Sequence, residues 1–339
     1  MTLEFGRSSE PPDRSALLER ALSRFGLELV SLPIPVTGSV LNENFRVDTN
    51  HGPRLVRLVR PSRPAQSLMI EWRAVQWALS RDIPAPLPEV VDGRPFVDLG
   101  ALRFQVYPWV DGRQAWPEPE DAFEAGEMQG RVHGGMAYFA DPALPRGKTG
   151  ATWDTEESIA LLSRVDDLIR YYPAPGDRRL RIQDGLRFKL GLLESDEPRP
   201  VSGFASLAVQ PCHGDFHGRN LIFGADGEID AVVDWELVGL LPPLFELVRA
   251  VAFSGLLEER LLRPYVSGYR QHRTFSAWEA AAAVEMWWQS LLHQTWTFRR
   301  SFIEGDGRVD HFFESDDQLL RRFADQAYRV WLADELSRP

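Results

Sequence analysis

The chain predicts an α+β fold in two parts: a small antiparallel β-sheet carrying one main helix, then a larger and mostly helical region. Three observations lead there. At 339 residues it exceeds what one hydrophobic core usually organises. Most of its strand-like runs fall in the first third, between Gly- and Pro-containing turn signals. The last third is helical in its spacing and strongly aromatic, with Trp278, Trp287, Trp288, Trp296, Phe298, Phe302, Phe312, Phe313 and Trp331, most of which belong in a core.

The elements follow in order. Leu17, Leu18, Ala21, Leu22 and Phe25 make one apolar stripe, which predicts a short helix over residues 15–25. Strands are expected at 28–35, 42–49 and 54–59, with Asn50-His51-Gly52-Pro53 as the turn between the last two. A helix over about 67–80 closes at Ile83-Pro84-Ala85-Pro86, and strands at 87–91 and 102–107 complete the sheet. Helices are expected at 123–133, 155–171 and 178–194, with a Pro- and Gly-rich loop at 140–153. Next come a loop at 213–220, a strand at Leu221-Ile222-Phe223, a turn at Ala225-Asp226-Gly227 and a returning strand over 228–233.

Composition narrows the function classes. With 44% hydrophobic and 26% charged residues the chain reads as an ordinary soluble globular protein. No apolar run is long enough to span a bilayer, and residues 1–14 carry polar residues and prolines instead of a signal-peptide core, so a cytoplasmic location and no membrane partner are expected. The single cysteine, Cys212, excludes an internal disulfide and a cysteine-based zinc site, and reads as a small packed side chain. A net charge of −11 argues against nucleic acid as a partner and is compatible with a cationic small substrate. Lysine occurs only at Lys148 and Lys189. Any side chain that grips phosphates in the first third is therefore an arginine.

The most informative stretch is His213-Gly214-Asp215-Phe216-His217-Gly218-Arg219-Asn220, followed beyond the hairpin by Asp234-Trp235-Glu236. A hydroxyl attacking the γ-phosphate of ATP needs an acceptor for its proton, and the magnesium ion needs hard oxygen ligands that leave room for the phosphates. Asp215 suits the first task. Asn220 and Asp234, brought side by side by the hairpin, suit the second. Two other readings exist: His213-x-Asp215-x-His217 as the metal ligands of a hydrolase, or carboxylates that only cap turns.

The loop H-G-D-x-x-x-x-N with the later D-W-E resembles the aminoglycoside phosphotransferase and choline kinase family, the small-molecule kinases similar to protein kinases. That resemblance implies a two-lobed protein-kinase-like fold: a flexible segment 1–12, an N-lobe at 13–108, a hinge at 109–112 and a helical C-lobe at 113–339, with the catalytic hairpin at 211–236. It implies ATP and Mg2+ as cofactors, with Asp215 catalytic and Asn220 and Asp234 on the metal. Gly38 to Val47 takes the place of the phosphate-covering loop, which makes Gly38, Asn42 and Asn44 nucleotide-binding candidates. Arg57, or Arg60 in a shifted register, takes the place of the basic residue on the third strand, and Glu71 that of its helix partner. Tyr107 and Trp109 line an adenine slot at the hinge or cover the seam between lobes.

His213, Glu236 and Glu246 support the loop in this resemblance. Glu246 stands where the family usually has an aspartate, one methylene shorter, and His133 ends a helix that can brace the same loop. Family members bind the acceptor between the catalytic loop and the late helices, which makes His217, Glu236, Trp288 and His293 substrate candidates. Ser315-Asp316-Asp317 reads as a helix N-terminus, and otherwise as an attractor for an amine. The pattern Gly-x-x-x-Asn-x-Asn-Phe is most similar to the homoserine-kinase-type and spore-coat-kinase-type branches. It implies a hydroxylated small-molecule acceptor: an amino acid, amino alcohol or amino sugar, with an aminoglycoside antibiotic as the alternative. A catalytically silent binding scaffold, ATP or GTP as donor, and a monomer or homodimer all stay open at the level of sequence.

Overall fold

The computed structural model describes residues 14–36, 42–114, 118–147, 153–172, 175–195 and 207–338. The expected flexible segment 1–12 lies outside these. Internal contacts divide the chain into two compact units, Met1–Gln76 with Ala85–Asp111, and Trp77–Pro84 with Gly112–Pro339. Together they have the two-lobed α+β character of the protein-kinase-like fold.

The first unit is built on a five-stranded antiparallel sheet. Its strands are β1 (Ile34–Val36), β2 (Glu43–Thr49), β3 (Gly52–Val59), β4 (Val97–Leu99) and β5 (Leu102–Pro108), in the order β1-β2-β3-β5-β4. Helix α1 (Arg14–Arg24) buries Leu18 and Leu22 in a core with Val47, Val56 and Val106 from the inner strands. Helix α2 (Ala65–Leu79) follows β3. Register sets Asn44 opposite Arg57 and Arg57 opposite Gln105, so one polar row crosses three strands on a single face.

Two expectations for this sheet are corrected. Residues 87–91 form no strand beyond a single bridge from Val91 to Arg94, and β4 supplies the fourth strand instead. Pro86 and Pro88 bring no N–H to a ladder. The 28–35 segment is reduced to a bridge between Leu29 and Thr49 and the short β1, with Pro33 and Pro35 blunting that edge.

The second unit contains α3 (Pro119–Met136), α4 (Thr155–Leu168), α5 (Gly176–Glu194), α6 (Pro243–Phe253), α7 (Glu259–Arg270), α8 (Ala277–His293), the single turn α9 (Trp296–Phe298), α10 (Phe312–Ala324) and α11 (Gln326–Ser337). Two small sheets sit among them. Strands β6 (Arg113–Gln114), β8 (Leu221–Phe223) and β9 (Ile229–Val232) form one; β7 (Gln210–Cys212) and β10 (Gly239–Leu241) form the other. No helix among the described residues is long and apolar enough to cross a membrane.

Helix α10 begins at Phe312, so Ser315-Asp316-Asp317 lies inside it and does not start it. Phe313 packs 5.0 Å from Phe298, an anchor that lets the helix begin one turn early. Asp317 then pairs with Arg321 one turn on, at 2.9 Å. Burial pushes the Asp316 carboxyl up to about 6, against the opposing charge of Lys189.

Helices α3 and α7 cross at unusually close range. A Cβ on Gly126 would overlap the Tyr265 carbonyl, and one on Gly268 would overlap the Phe123 carbonyl, so each helix presents bare backbone to the other. This crossing matters for the site because it carries His133 and Tyr269 on facing helices. Gly126→Ala or Gly268→Ala is expected to lower the thermal unfolding midpoint by roughly 3–5 °C, from overpacking of about 2–3 kcal/mol. An unchanged midpoint in calorimetry contradicts the close crossing.

Candidate active site

The loop at residues 213–220 hangs between β7 and β8. Gly214 has φ of +87°, and a Cβ there would overlap the Leu237 carbonyl, so only glycine fits the bend that follows His213. Residues 218–220 make one 3-10 turn that delivers Asn220 to the start of β8. The Val233 N–H donates to the Asn220 carbonyl at 2.9 Å, which sets Asp234 next to Asn220 at the mouth of the hairpin. Asp234 itself is left-handed (φ 63°, ψ 58°), a conformation that aspartate tolerates better than most side chains.

Asp215 is the electrostatic centre of this unit. Its Oδ1 accepts from Arg249 Nη2. Its Oδ2 accepts from Asn220 Nδ2 at 3.2 Å and faces His217 Nε2 at 3.5 Å. Burial pushes the Asp215 carboxyl up, but the Arg249 charge and the His217 hydrogen bond outweigh burial and hold it well below the usual carboxylate range. Asn220 Nδ2 also donates to the Asp215 carbonyl at 2.8 Å. With the amide nitrogen thus committed, the amide oxygen is the atom left to ligate a cation.

The donor set fits magnesium. An amide oxygen and the carboxylate of Asp234 are hard ligands on adjacent backbone positions, and two protein ligands leave room for phosphate oxygens. The alternating His-x-Asp-x-His does not converge as a metal site. His213 Nδ1 accepts from the Asp215 N–H at 3.2 Å and its Nε2 donates to the Val233 carbonyl at 3.1 Å. Burial holds the His213 imidazole below its ordinary value, in keeping with this neutral tautomer. His217 Nδ1 accepts from the Arg219 N–H at 3.2 Å, which leaves Nε2 as the donor toward Asp215. Among the described residues, the one acid, histidine and cysteine group compact enough for a metal is His133, Cys212 and Glu246, all buried.

That buried group supports the loop. Glu246, fully buried on α6, accepts from the Gly214 N–H with Oε1, and His133 Nε2 donates to its Oε2 at 2.7 Å. Tyr269 donates its hydroxyl hydrogen to His133 Nδ1 at 2.9 Å. The extra methylene of glutamate is accommodated with Gly214 and His133 both within reach. Burial pushes the Glu246 carboxyl up, and the His133 hydrogen bond together with nearby positive charge more than offsets this, so it is held below the usual glutamate value.

In the first unit, Arg57 Nη1 lies 3.3 Å from Glu71 Oε1, and all three of Arg57, Arg63 and Glu71 are buried. Arg63, which sequence reasoning did not single out, makes the shorter bond, 2.7 Å to Glu71 Oε2. Tyr107 donates to Glu71 Oε1 at 3.2 Å and carries the Arg57 guanidinium 5.2 Å from its ring centroid. Its hydroxyl therefore serves the ion pair. Trp109 bonds Asp111 at 2.9 Å through its indole nitrogen and lies under Arg46. Asn42 accepts from the Arg60 N–H at 3.1 Å, Arg60 lies just past the end of β3, and the side-chain oxygen of Asn44 is buried without a donor among the described residues. Gly38 lies outside the described residues.

The late-helix candidates are also corrected. Trp288 is only 7% exposed and lies beneath the Arg329 guanidinium, 5.1 Å from its ring centroid, so its cation is an internal one. His293 stacks 5.6 Å from Trp153 and donates from Nδ1 to the Gln289 carbonyl at 2.8 Å. Both serve helix packing. Glu236 is half-buried on the 3-10 turn directly after Asp234. Arg249 was missed, although it sits one helical turn after Glu246, where an i, i+3 spacing places both on one face.

An antiparallel sheet unit followed by a helical unit with this loop and hairpin describes a kinase-like phosphotransferase. The chain belongs to the phosphotransferase enzyme family, whose profile matches residues 34–284, and it is a small-molecule kinase. Among solved structures, it is similar to an aminoglycoside phosphotransferase from Alicyclobacillus acidocaldarius, with 15% identity, 98% and 97% of the two chains covered and a TM-score of 0.59. It is also similar to a spectinomycin phosphotransferase solved with ADP and spectinomycin (12% identity, 96% and 98% covered, TM-score 0.61). A third likeness is to a microcompartment-associated aminopropanol kinase (18% identity, 95% and 99% covered, TM-score 0.58). At these identities the likenesses speak for the fold. No curated protein sequence matches the chain significantly.

Removing Glu246 leaves the Gly214 N–H and His133 buried without their acceptor. Glu246→Ala is expected to lose about 2–4 kcal/mol of stability in chemical denaturation and to depress turnover more than Glu246→Asp does. Equal stability for the alanine variant and wild type contradicts the bracing role.

Proposed function

We propose that this protein transfers the γ-phosphoryl group of Mg-ATP to a hydroxyl of a small molecule, an amino acid, amino alcohol or amino sugar, in the cytoplasm. The observation that carries this reading is the Asp215–Asn220 arrangement, in which one amide orients the base and keeps its oxygen for a cation. Asp215 accepts the hydroxyl proton and aligns the nucleophile. Bound magnesium supplies charge neutralisation on the phosphates, with Asn220 and Asp234 as its protein ligands. Arg57, fixed by Glu71 and Tyr107, grips phosphate oxygens with a planar, permanently charged fork. Gly38, Asn42 and Asn44 are the candidates for contacts that cover those phosphates, and Trp109 borders the base. His213 and Glu246 fix the backbone of the loop so that the Asp215 carboxylate does not have to reorganise during transfer.

A coupled ADP-release assay with pooled amino acids, amino alcohols, hexosamines and aminoglycosides tests the reading. Asp215→Asn is expected to lower kcat on the order of a hundredfold or more while ATP still binds, and Asp234→Asn to raise the magnesium concentration needed for half-maximal rate. Undiminished turnover by Asp215→Asn removes that residue from its role. Absence of Mg-dependent ATP binding by the wild type sinks the phosphotransferase mechanism as a whole and favours a silent scaffold.

A further inference from the structure

The two oxygens of Asp215 are used from different sides. Oδ2 takes the Asn220 amide at 3.2 Å, and Asn220 adjoins Asp234, so Oδ2 marks the side of the cation and the phosphates. Oδ1 takes Arg249, which arrives from α6. Arg249 therefore meets the oxygen of the carboxylate that Asn220 does not take, and the acceptor of the proposed reaction would approach beside it.

This arginine is held rigidly. Nη1 donates to the Gly214 carbonyl at 3.0 Å, and the guanidinium carbon lies 4.9 Å from the Phe253 ring centroid. Phe253 is pinned in turn, edge-on to Trp287 at 5.3 Å and to His217 at 6.3 Å. Gly214 and Asp215 take two of the five N–H bonds of a guanidinium. The side chain keeps 17% of its surface exposed, and three guanidinium N–H bonds are left over from these two contacts.

We infer that Arg249 is a specificity residue that selects an acceptor carrying a carboxylate close to the hydroxyl that becomes phosphorylated. A guanidinium fork matches a carboxylate in geometry and charge, and it stays charged at any working pH. It also cancels the charge of Asp215 as an ammonium group would feel it. A polyamine brought to this base meets a fixed cation with a histidine beside it. The net charge of −11 draws cations to the molecule at long range, but the field at the reacting hydroxyl is set by the nearest groups. The inference rests on the phosphotransferase reading and narrows its acceptor class to hydroxy acids, including hydroxylated amino acids.

Matched acceptor pairs that differ only in the carboxylate test this on the full-length protein. Serine is compared with ethanolamine, and homoserine with 3-aminopropanol, by ADP release and by calorimetric binding in the presence of magnesium and a non-hydrolysable ATP analogue. Spectinomycin serves as the polyamine control. The acid of at least one pair is expected to be preferred at least tenfold in kcat/KM or in affinity. Arg249→Met is expected to reduce that preference roughly ten- to a hundredfold, the worth of a charged hydrogen bond, and mainly through KM. Arg249→Lys should keep part of it, and the lysine variant with the wild-type pair ratio decides the matter if the methionine variant does not fold. The inference is overturned if no acid binds or reacts, if amine and acid are used alike, or if Arg249→Met lowers kcat on every acceptor equally. That last pattern assigns Arg249 to positioning Asp215 alone. Retained Mg-dependent ATP binding alongside acid-blind acceptor use defeats only the role of Arg249, whereas loss of ATP binding defeats the kinase reading beneath it.

Discussion

The structure around the loop depends on one buried carboxylate. Glu246 has no exposed surface, and an ionised acid in that position must be satisfied by protein groups. It is satisfied by the Gly214 N–H and by His133, whose other nitrogen takes Tyr269. Those partners come from α3, α7 and the loop, so the Gly126–Gly268 helix crossing and the bend at Gly214 are held in mutual register. The loop is thereby fixed on the residue just before Asp215, where a small backbone shift would displace the Asp215 carboxylate most.

Rigidity at Asp215 is built from both directions. His213 ties the loop to Val233 and so to the strand that ends in Asp234, while Arg249 ties the carboxylate to α6. Burial alone would push this half-buried carboxyl toward its protonated form; paired with Arg249, it stays ionised. The arginine that keeps the Asp215 carboxylate ionised also fixes the sign of the charge beside it.

In the first unit a comparable economy centres on Glu71. One carboxylate organises Arg57, Arg63 and Tyr107, and the row Asn44, Arg57, Gln105 crosses the sheet on one face. Gln105 has no exposed surface, and neither of its side-chain amide atoms has a partner among the described residues. Buried polar rows of this kind are specified by cross-strand register, and register depends on which strands pair.

What the sequence determined by itself was local: apolar periodicity placed α1, α2 and the helices on either side of residue 175, and the fixed spacing of Asp215, Asn220 and Asp234 placed a loop and a hairpin together. Those features are encoded over a few neighbouring residues, so they can be read without knowing what lies opposite. The weak points were also physical. Residues 87–91 looked like a strand by composition, but prolines cannot serve a ladder, and the pairing went to Val97–Leu99. Trp288 and His293 looked like an aromatic wall, yet only packing against α11 and Trp153 could show their faces to be taken. Arg249, Arg63 and Tyr107 acquire their roles from contacts 34, 8 and 36 residues away in the chain. Tertiary structure alone decides such meetings, because the energy of a buried charge depends on which groups surround it and not on its sequence neighbours.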